Sequence, residues 1–285
     1  MIKVVSSGFY TTIQDLGRFG FGDIGVPVSG AMDLYSATLA NHILGNKDSD
    51  AVLEITLGKC KLRFDVESIV CVSGADLSPK LNGKSIKQNL AIIVHKNDIL
   101  TFDKPVYGVR CYLAIKGGFQ TKIVLNSRSF YKGITDSYIL KKNDILPIHT
   151  IVSEIKKSFS SVKIDKDHFT TTSIEVYTAP EYELLDKIQR EKLSKTLFTI
   201  SNENNRMGYR LEEPIENELE SMLTSAVLPG TVQLTPSGKL IVLMRDCQVT
   251  GGYHRILQLT DDAINKLAQK TTNHTFRFKI IPLDY

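Results

Sequence analysis

Residues 10–33, YTTIQDLGRFGFGDIGVPVSGAMD, carry five glycines in 24 positions, a density that rules out a regular helix and interrupts any long strand. Glycine loses more backbone freedom on ordering than any other residue, so such a segment is retained where the chain must turn with positive φ or approach another group closely. Between the glycines stand Gln14, Asp15, Arg18, Asp23 and Ser29, side chains suited to holding a polar ligand. The segment is read as a binding loop, and the remaining chain must supply the scaffold that orders it.

At 285 residues the chain has material for two units of roughly 150 each. The polar run IVSEIKKSFSSVKIDKDHFTTTS (151–173) is where we expect them to join. This divides the chain into a β-rich N-terminal subdomain, 1–155, bearing the glycine-rich loop, and a C-terminal subdomain, 170–285. Short echoes, GVPVSGAMD (25–33) against QLTPSGKLI (233–241) and VSGAMD (28–33) against VSGADL (72–77), suit two related halves or chance equally.

The net charge of +4, from 35 basic and 31 acidic residues, is small and scattered, which argues against nucleic acid as a partner. Cys60, Cys71, Cys111 and Cys247 lie far apart in apolar surroundings with no metal-ligand spacing, so buried free thiols are expected. The segment MIKVVSSGFY lacks the pattern of a signal peptide, and no apolar run reaches the 18 residues needed to cross a bilayer. A cytoplasmic protein without membrane contact is expected.

Short β-branched or alternating runs dominate: 51–57, 68–73, 90–94, 98–102, 109–115, 174–178, 239–244 and 255–259. In HTFRFKII, Phe276, Phe278 and Ile280 fall on one face, as a half-buried strand closing a sheet or barrel requires. Helices are expected after Ser29, with Met32, Tyr35, Leu39 and Ile43 on one face and a stop at Gly45, over 181–193, and over 261–270 behind Thr260 as N-cap. The fold class is mainly β with a few helices.

Asn82-Gly83-Lys84-Ser85 resembles the end of a phosphate-binding loop, but Ser78 stands where that loop needs glycine, so LNGKSIK is expected to form a hairpin with an Asn-Gly turn. No G-x-S-x-G or H-E-x-x-H pattern occurs, and the six histidines are isolated. In MRDCQVTGGYHR (244–255), alternation places Asp246, Gln248 and Thr250 on one face ahead of Tyr253; the same pattern also suits a solvated edge strand. SNENNRMGYRLEEP (201–214) offers Asn205, Arg206, Tyr209 and Arg210 around Gly208, with Met207 and Leu211 as anchors. Its arginines suit either an anionic ligand or ion pairs with Glu212 and Glu213. LNSRSFY (125–131) presents Ser127, Arg128 and Ser129 as a further anion-binding turn, or as a plain one.

Taken in order, TTIQDLGR-x-G, GVPVSGAMD, LANHILGN, LEITLG, VSGADL, YLAIKGG, NRMGYRLE and LMRDCQVTGGY resemble the motif series of the KipA or allophanate hydrolase subunit 2-like family. Its best defined members are the C subunits of bacterial 5-oxoprolinase, and it includes carboxyltransferase domains of biotin-dependent urea carboxylases. The resemblance implies a cyclophilin-like β-barrel architecture with two related subdomains. It also implies a component of an ATP-hydrolysing 5-oxoprolinase, a KipI-like B subunit and an A subunit as partners, a small lactam as substrate, and ATP with Mg²⁺.

Carried onto this chain, the resemblance makes Gln14, Asp15, Arg18, Ser29 and Asp33 one wall of a site, and Asn205, Arg206, Arg210, Asp246, Gln248, Thr250 and Tyr253 another. Arg18, Arg206 and Arg210 would bind carboxylate or phosphoryl oxygens, and Asp15, Asp33 or Asp246 would act as base or Mg²⁺ ligand. The chain departs from the family pattern at Asn126, in ITDSYILKKNDIL and at Val249, so Arg128 is a weaker candidate than its family counterpart. Two other functions fit the resemblance: a regulatory protein that binds a KipI-like kinase inhibitor, and the carboxyltransferase component of a urea carboxylase. Asp33 stands where a biotinylated lysine would, so no biotin is covalently attached to this chain.

Overall fold

The computed structural model describes residues 1–149, 162, 165–220 and 222–282. The polar run expected to join two subdomains therefore lies largely outside the described residues. The chain forms two compact units, Met1–Arg18 with Ser29–Lys166, and Phe19–Val28 with Asp167–Tyr285. The middle of the glycine-rich loop, Phe19–Val28, thus belongs to the second unit, although the sequence places it early in the first.

The first unit holds two sheets. Five strands run in the order Tyr10–Gln14, Val52–Thr56, Tyr107–Ile115, Ser68–Asp76 and Ile92–Val94. A six-stranded sheet has Ile2–Ser7 and Cys60–Phe64 near one edge and the hairpin Lys80–Leu81 and Lys84–Ser85 at the other. Leu53, Ile55, Val72 and Leu113 of the first sheet join Val4, Leu62, Phe64 and Leu100 of the second in one core. The opposite face of the five-stranded sheet packs Val52, Cys71, Tyr112 and Ala114 against Ala37 and Ala40 of the helix Leu34–Ile43. Burial on both faces explains why Val52–Thr56 is a continuous run of buried residues instead of an alternating one.

That helix starts later than its apolar spacing predicts. Asp33 is its N-cap, accepting hydrogen bonds from the Ser36 backbone N–H and hydroxyl, and Met32 lies before the first turn. A short acid with extended φ and ψ ends the helix register that the apolar residues alone would extend. The helix expected over 181–193 is likewise divided: a turn of 3₁₀ helix, Tyr182–Leu184, is followed by Lys187–Lys195 behind an Asp186–Gln189 capping box. The expected Asn-Gly hairpin forms, with Asn82 and Gly83 both at positive φ.

The second unit contains a closed barrel of seven strands: Ser173–Thr178, His254–Leu259, Thr231–Leu234, Leu240–Leu243, Gly208–Leu211, Phe198–Asn204 and Thr275–Ile280. The last strand closes it, pairing antiparallel with Phe198–Asn204 and parallel with Ser173–Thr178. Phe276 and Phe278 point inward, 5.2 Å apart between ring centroids and stacked edge to face, while Arg277 and Lys279 face out. Among the described residues no helix is long and apolar enough to cross a membrane.

On the barrel, Arg255 holds Glu181 through its Nε at 2.9 Å and a terminal nitrogen at 2.7 Å. These hydrogen bonds keep the Glu181 carboxyl below its ordinary pKa of 4.5. A depressed carboxylate pKa contributes stability that is present above 4.5 and is lost as pH falls through the folded value. Glu181→Gln should therefore cost stability at neutral pH and flatten the acid limb of the stability profile, as read from urea unfolding at a series of pH values.

Candidate functional site

In the first unit, Asp15 organises the glycine-rich loop. Its Oδ1 accepts hydrogen bonds from Gly17 N–H at 2.8 Å, Ser127 Oγ at 2.7 Å and Ser129 Oγ at 2.6 Å, and its Oδ2 accepts from Arg128 N–H at 2.6 Å. Ser127 and Ser129, expected in an anion-binding turn, thus bind an anion from their own chain. Arg18 is buried, at 1% exposure, and donates to the Ser129 carbonyl.

Residues 29–33 are pinned to the same framework. Ser29 and Gly30 have φ of 59° and 90°. A Cβ on Gly30 would lie 2.8 Å from the Leu16 carbonyl oxygen, so glycine is required there for space as well as for φ. Ala31 N–H donates to the Asp15 carbonyl at 2.9 Å, and Met32 N–H to Glu54 Oε2 at 2.8 Å. Asp33 N–H donates at 2.8 Å to the Tyr112 hydroxyl, which donates in turn to Glu54 Oε2 at 2.9 Å. Gln14 Oε1 and Ser29 Oγ are buried polar atoms without a hydrogen-bond partner among the described residues.

Glu54 and Tyr112 were not among the residues singled out from sequence. The available signal was an acid inside an otherwise apolar strand string, LEIT, whose neighbours leave no solvated face. Arg110 Nε lies 3.9 Å from Glu54 Oε1. Burial, and then the charges of Glu54 and Asp33, push the Tyr112 phenol well above its ordinary pKa, which keeps it a hydrogen-bond donor.

The second unit holds the other predicted residues, and all but Thr250 separate into two groups. Arg206 and Asp246 form a buried bidentate pair, Nε to Oδ2 at 2.8 Å and a terminal nitrogen to Oδ1 at 2.9 Å. Asp246 N–H also donates to the Arg206 carbonyl. The pair braces the turn after Asn204 against the turn after Leu243. That second turn, closed by Cys247 N–H to the Met244 carbonyl, breaks the expected alternation. Asp246 is buried, whereas Thr250 is exposed and pairs with Ala226, so Asp246, Gln248 and Thr250 do not share a strand face. Met207, expected as an anchor, is 46% exposed; Tyr209 and Leu211 are the buried residues of that hairpin.

The second group lines a cavity of about 510 Å³: Asn205, Arg210, Gln248 and Tyr253, joined by Glu203 and Gln233, which sequence inspection did not select. Asn205 Oδ1 accepts from Met207 N–H at 2.7 Å and Gly208 N–H at 3.3 Å, which shapes the turn. Arg210 is ion-paired with Glu203, and both side chains are more than half exposed. The polar lining is neutral amides, one ion pair and a phenol beside the apolar Met207, Ile241 and Leu243, a set that suits a small ligand with polar groups.

The three acids proposed as base or Mg²⁺ ligand are engaged: Asp15 by four donors, Asp33 as a helix cap, Asp246 by Arg206. Among the described residues no group of three or more His, Cys, Asp or Glu side chains is arranged to hold a metal ion. The four cysteines are buried free thiols; burial pushes Cys60, Cys71 and Cys247 up to about 12, which leaves them poor nucleophiles.

Residues 24–280 match the family described as carboxyltransferase domain, subdomain A and B. The chain is 32% identical over 275 residues to the 5-oxoprolinase C subunit of Escherichia coli, covering 94% of this chain and 87% of that protein. It is 44% identical over 149 residues to the urea amidolyase of Lachancea kluyveri, covering 50% of this chain and 8% of that protein. The crystal structure of K. lactis urea amidolyase superposes with a TM-score of 0.88 at 28% identity, over 99% of this chain and 19% of that one. The chain thus spans about a fifth of that solved structure and most of the length of the bacterial relative.

The buried pair generates a prediction about stability. Asp246→Ala removes the carboxylate from the Arg206 guanidinium in the interior and should lower the unfolding free energy by about 3–5 kcal/mol. The double variant Arg206→Met, Asp246→Leu should recover most of that loss. Urea unfolding followed by tyrosine fluorescence checks both values.

Proposed function

Because this chain belongs to the carboxyltransferase domain, subdomain A and B family, we propose that it is the C subunit of an ATP-dependent 5-oxoprolinase. It acts with a KipI-like B subunit and an A subunit to convert 5-oxo-L-proline to L-glutamate. The observation that carries this reading is the similarity to the E. coli C subunit over 87% of that protein's own length, whereas this chain covers 8% of the L. kluyveri urea amidolyase and 19% of the K. lactis one.

An unstrained lactam is a poor electrophile, and ATP supplies the phosphoryl group that makes its carbonyl carbon open to water. Nucleotide and Mg²⁺ are assigned to the assembly, because the acids of this chain are already engaged and Asn82-Gly83-Lys84-Ser85 forms a hairpin turn. This chain's part is to bind and orient. Asn205, Arg210, Gln248 and Tyr253 present polar groups to the ligand, while Arg206 and Asp246 brace the turns beside them. Gln14, Asp15, Arg18, Ser29 and Asp33 order the glycine-rich loop for contact with a partner protein.

The half-length identity to urea amidolyase favours a second reading, carboxyl transfer. In that case biotin arrives on another chain, since Asp33 is a fully buried helix cap. The two readings differ in a direct assay. The chain alone should be inactive, and the chain assembled with its A and B partners should hydrolyse ATP only when 5-oxoproline is added, releasing glutamate. Assembly without stimulation by 5-oxoproline would contradict the 5-oxoprolinase reading and leave carboxyl transfer or a regulatory complex with the KipI-like protein.

A further inference from the structure

The cavity lies on the outer face of the barrel wall, and strand register fixes its chemistry. Arg210 and Gln233 are both Cα partners of Ile241 on adjacent strands, so the guanidinium and the carboxamide flank one apolar side chain. Gly208 sits opposite Leu243 in the same sheet. A Cβ at Gly208 would come within 3.2 Å of Ile241 Cγ2 and 3.3 Å of the Val242 carbonyl oxygen. The missing side chain therefore leaves a flat floor beside Arg210. Gln233 keeps a single long hydrogen bond, 3.4 Å from its Nε2 to the Tyr253 carbonyl. Its side-chain oxygen and the whole Gln248 amide make no hydrogen bond among the described residues, so both donors and acceptors face the cavity.

The charges are arranged unusually for a cavity of amides. Arg210 and Glu203 neutralise each other, yet their side chains are 53% and 62% exposed. Exposed pairs of this kind are weak and exchange readily with a competing anion. Glu203 Oε2 meets one terminal nitrogen of Arg210, whereas a carboxylate lying on the floor beside it can form two parallel hydrogen bonds with the guanidinium.

Resting on the 5-oxoprolinase reading, we infer that this cavity selects a cyclic amide bearing a carboxylate, and that Glu203 is an internal stand-in for that carboxylate on Arg210. On binding, the ligand's carboxylate replaces Glu203 on the guanidinium. Gln248 and Gln233 then take the amide edge of the ring, since a carboxamide donates and accepts in one plane as the N–H and C=O of a lactam do. Glu203 is a specificity-determining residue through competition, and Gly208 through the space it leaves.

The test is a set of binding titrations on the full chain with 5-oxo-L-proline, 2-pyrrolidinone, which lacks the carboxylate, and cyclopentanecarboxylate, which lacks the amide. The wild-type chain should bind 5-oxoproline more tightly than either by about tenfold. Arg210→Gln should remove the preference over 2-pyrrolidinone. Glu203→Gln should tighten 5-oxoproline severalfold and leave 2-pyrrolidinone unchanged. Both positions are exposed, so unaltered unfolding midpoints confirm that the variants are folded. Absence of saturable binding, a Glu203→Gln variant that binds 5-oxoproline no better than wild type, or equal affinity for cyclopentanecarboxylate overturns the inference. Turnover of the assembly is measured separately. The predicted binding pattern without 5-oxoproline-stimulated turnover retains the site and removes the reaction assigned to it; stimulated turnover without the Glu203 effect removes the inference alone.

Discussion

A single carboxylate sets the conformation on which the glycine-rich loop depends. Asp15 accepts from one backbone amide in its own segment, and from two hydroxyls and a backbone amide more than a hundred residues later. Each glycine in this region adds freedom to the unfolded chain, so the folded loop must recover that loss through interactions that only one geometry satisfies. Hydrogen bonds to a charged acceptor are stronger than neutral ones, and four converging on one side chain specify position as well as energy. The 29–33 segment attaches to the same point through Ala31 and then to Glu54 and Tyr112, so the loop and the start of the helix Leu34–Ile43 form one connected polar framework.

This framework changes what the charged residues are understood to do. Asp15, Asp33, Asp246 and Arg206 have the residue types of a reactive centre, yet each is engaged by partners from its own chain. Arg210 differs: its counter-ion Glu203 is exposed, and the cavity beside it holds Gln248, whose amide makes no hydrogen bond among the described residues, and Gln233, which keeps a single long one. Burial, geometry and partners distinguish an arginine that braces a turn from one that meets a ligand, although the two stand four positions apart in NRMGYRL.

The strands were legible because both sheets of the first unit and the barrel are built from β-branched and aromatic runs, and Phe276 and Phe278 alternate with charged residues as a closing strand requires. Thr260 was legible as an N-cap for the helix Asp261–Ala268 because a hydroxyl preceding two acids has few other uses. The start of the first helix was misplaced because apolar spacing runs through Asp33 without registering that its carboxylate turns back onto Ser36. Glu54 was passed over because a strand buried on both faces gives no alternation, and the lone acid in LEIT is the only mark it leaves. The cavity was half visible. Asn205, Gly208, Arg210, Gln248 and Tyr253 are clustered in polar segments, whereas Gln233 reaches it through the pairing of three strands.

Amide hydrogen exchange on the Asp15→Asn variant tests most directly whether Asp15 organises the loop. The substitution keeps the side-chain shape and replaces Oδ2, the acceptor for Arg128 N–H, with a donor or rotates the mismatch onto the serine hydroxyls. The amides of Gly17, Arg128 and Ala31 should lose protection by at least about tenfold, with those of Lys61 to Arg63 in the neighbouring sheet unchanged. Protection at Gly17 and Arg128 equal to that of the wild-type chain would contradict the account.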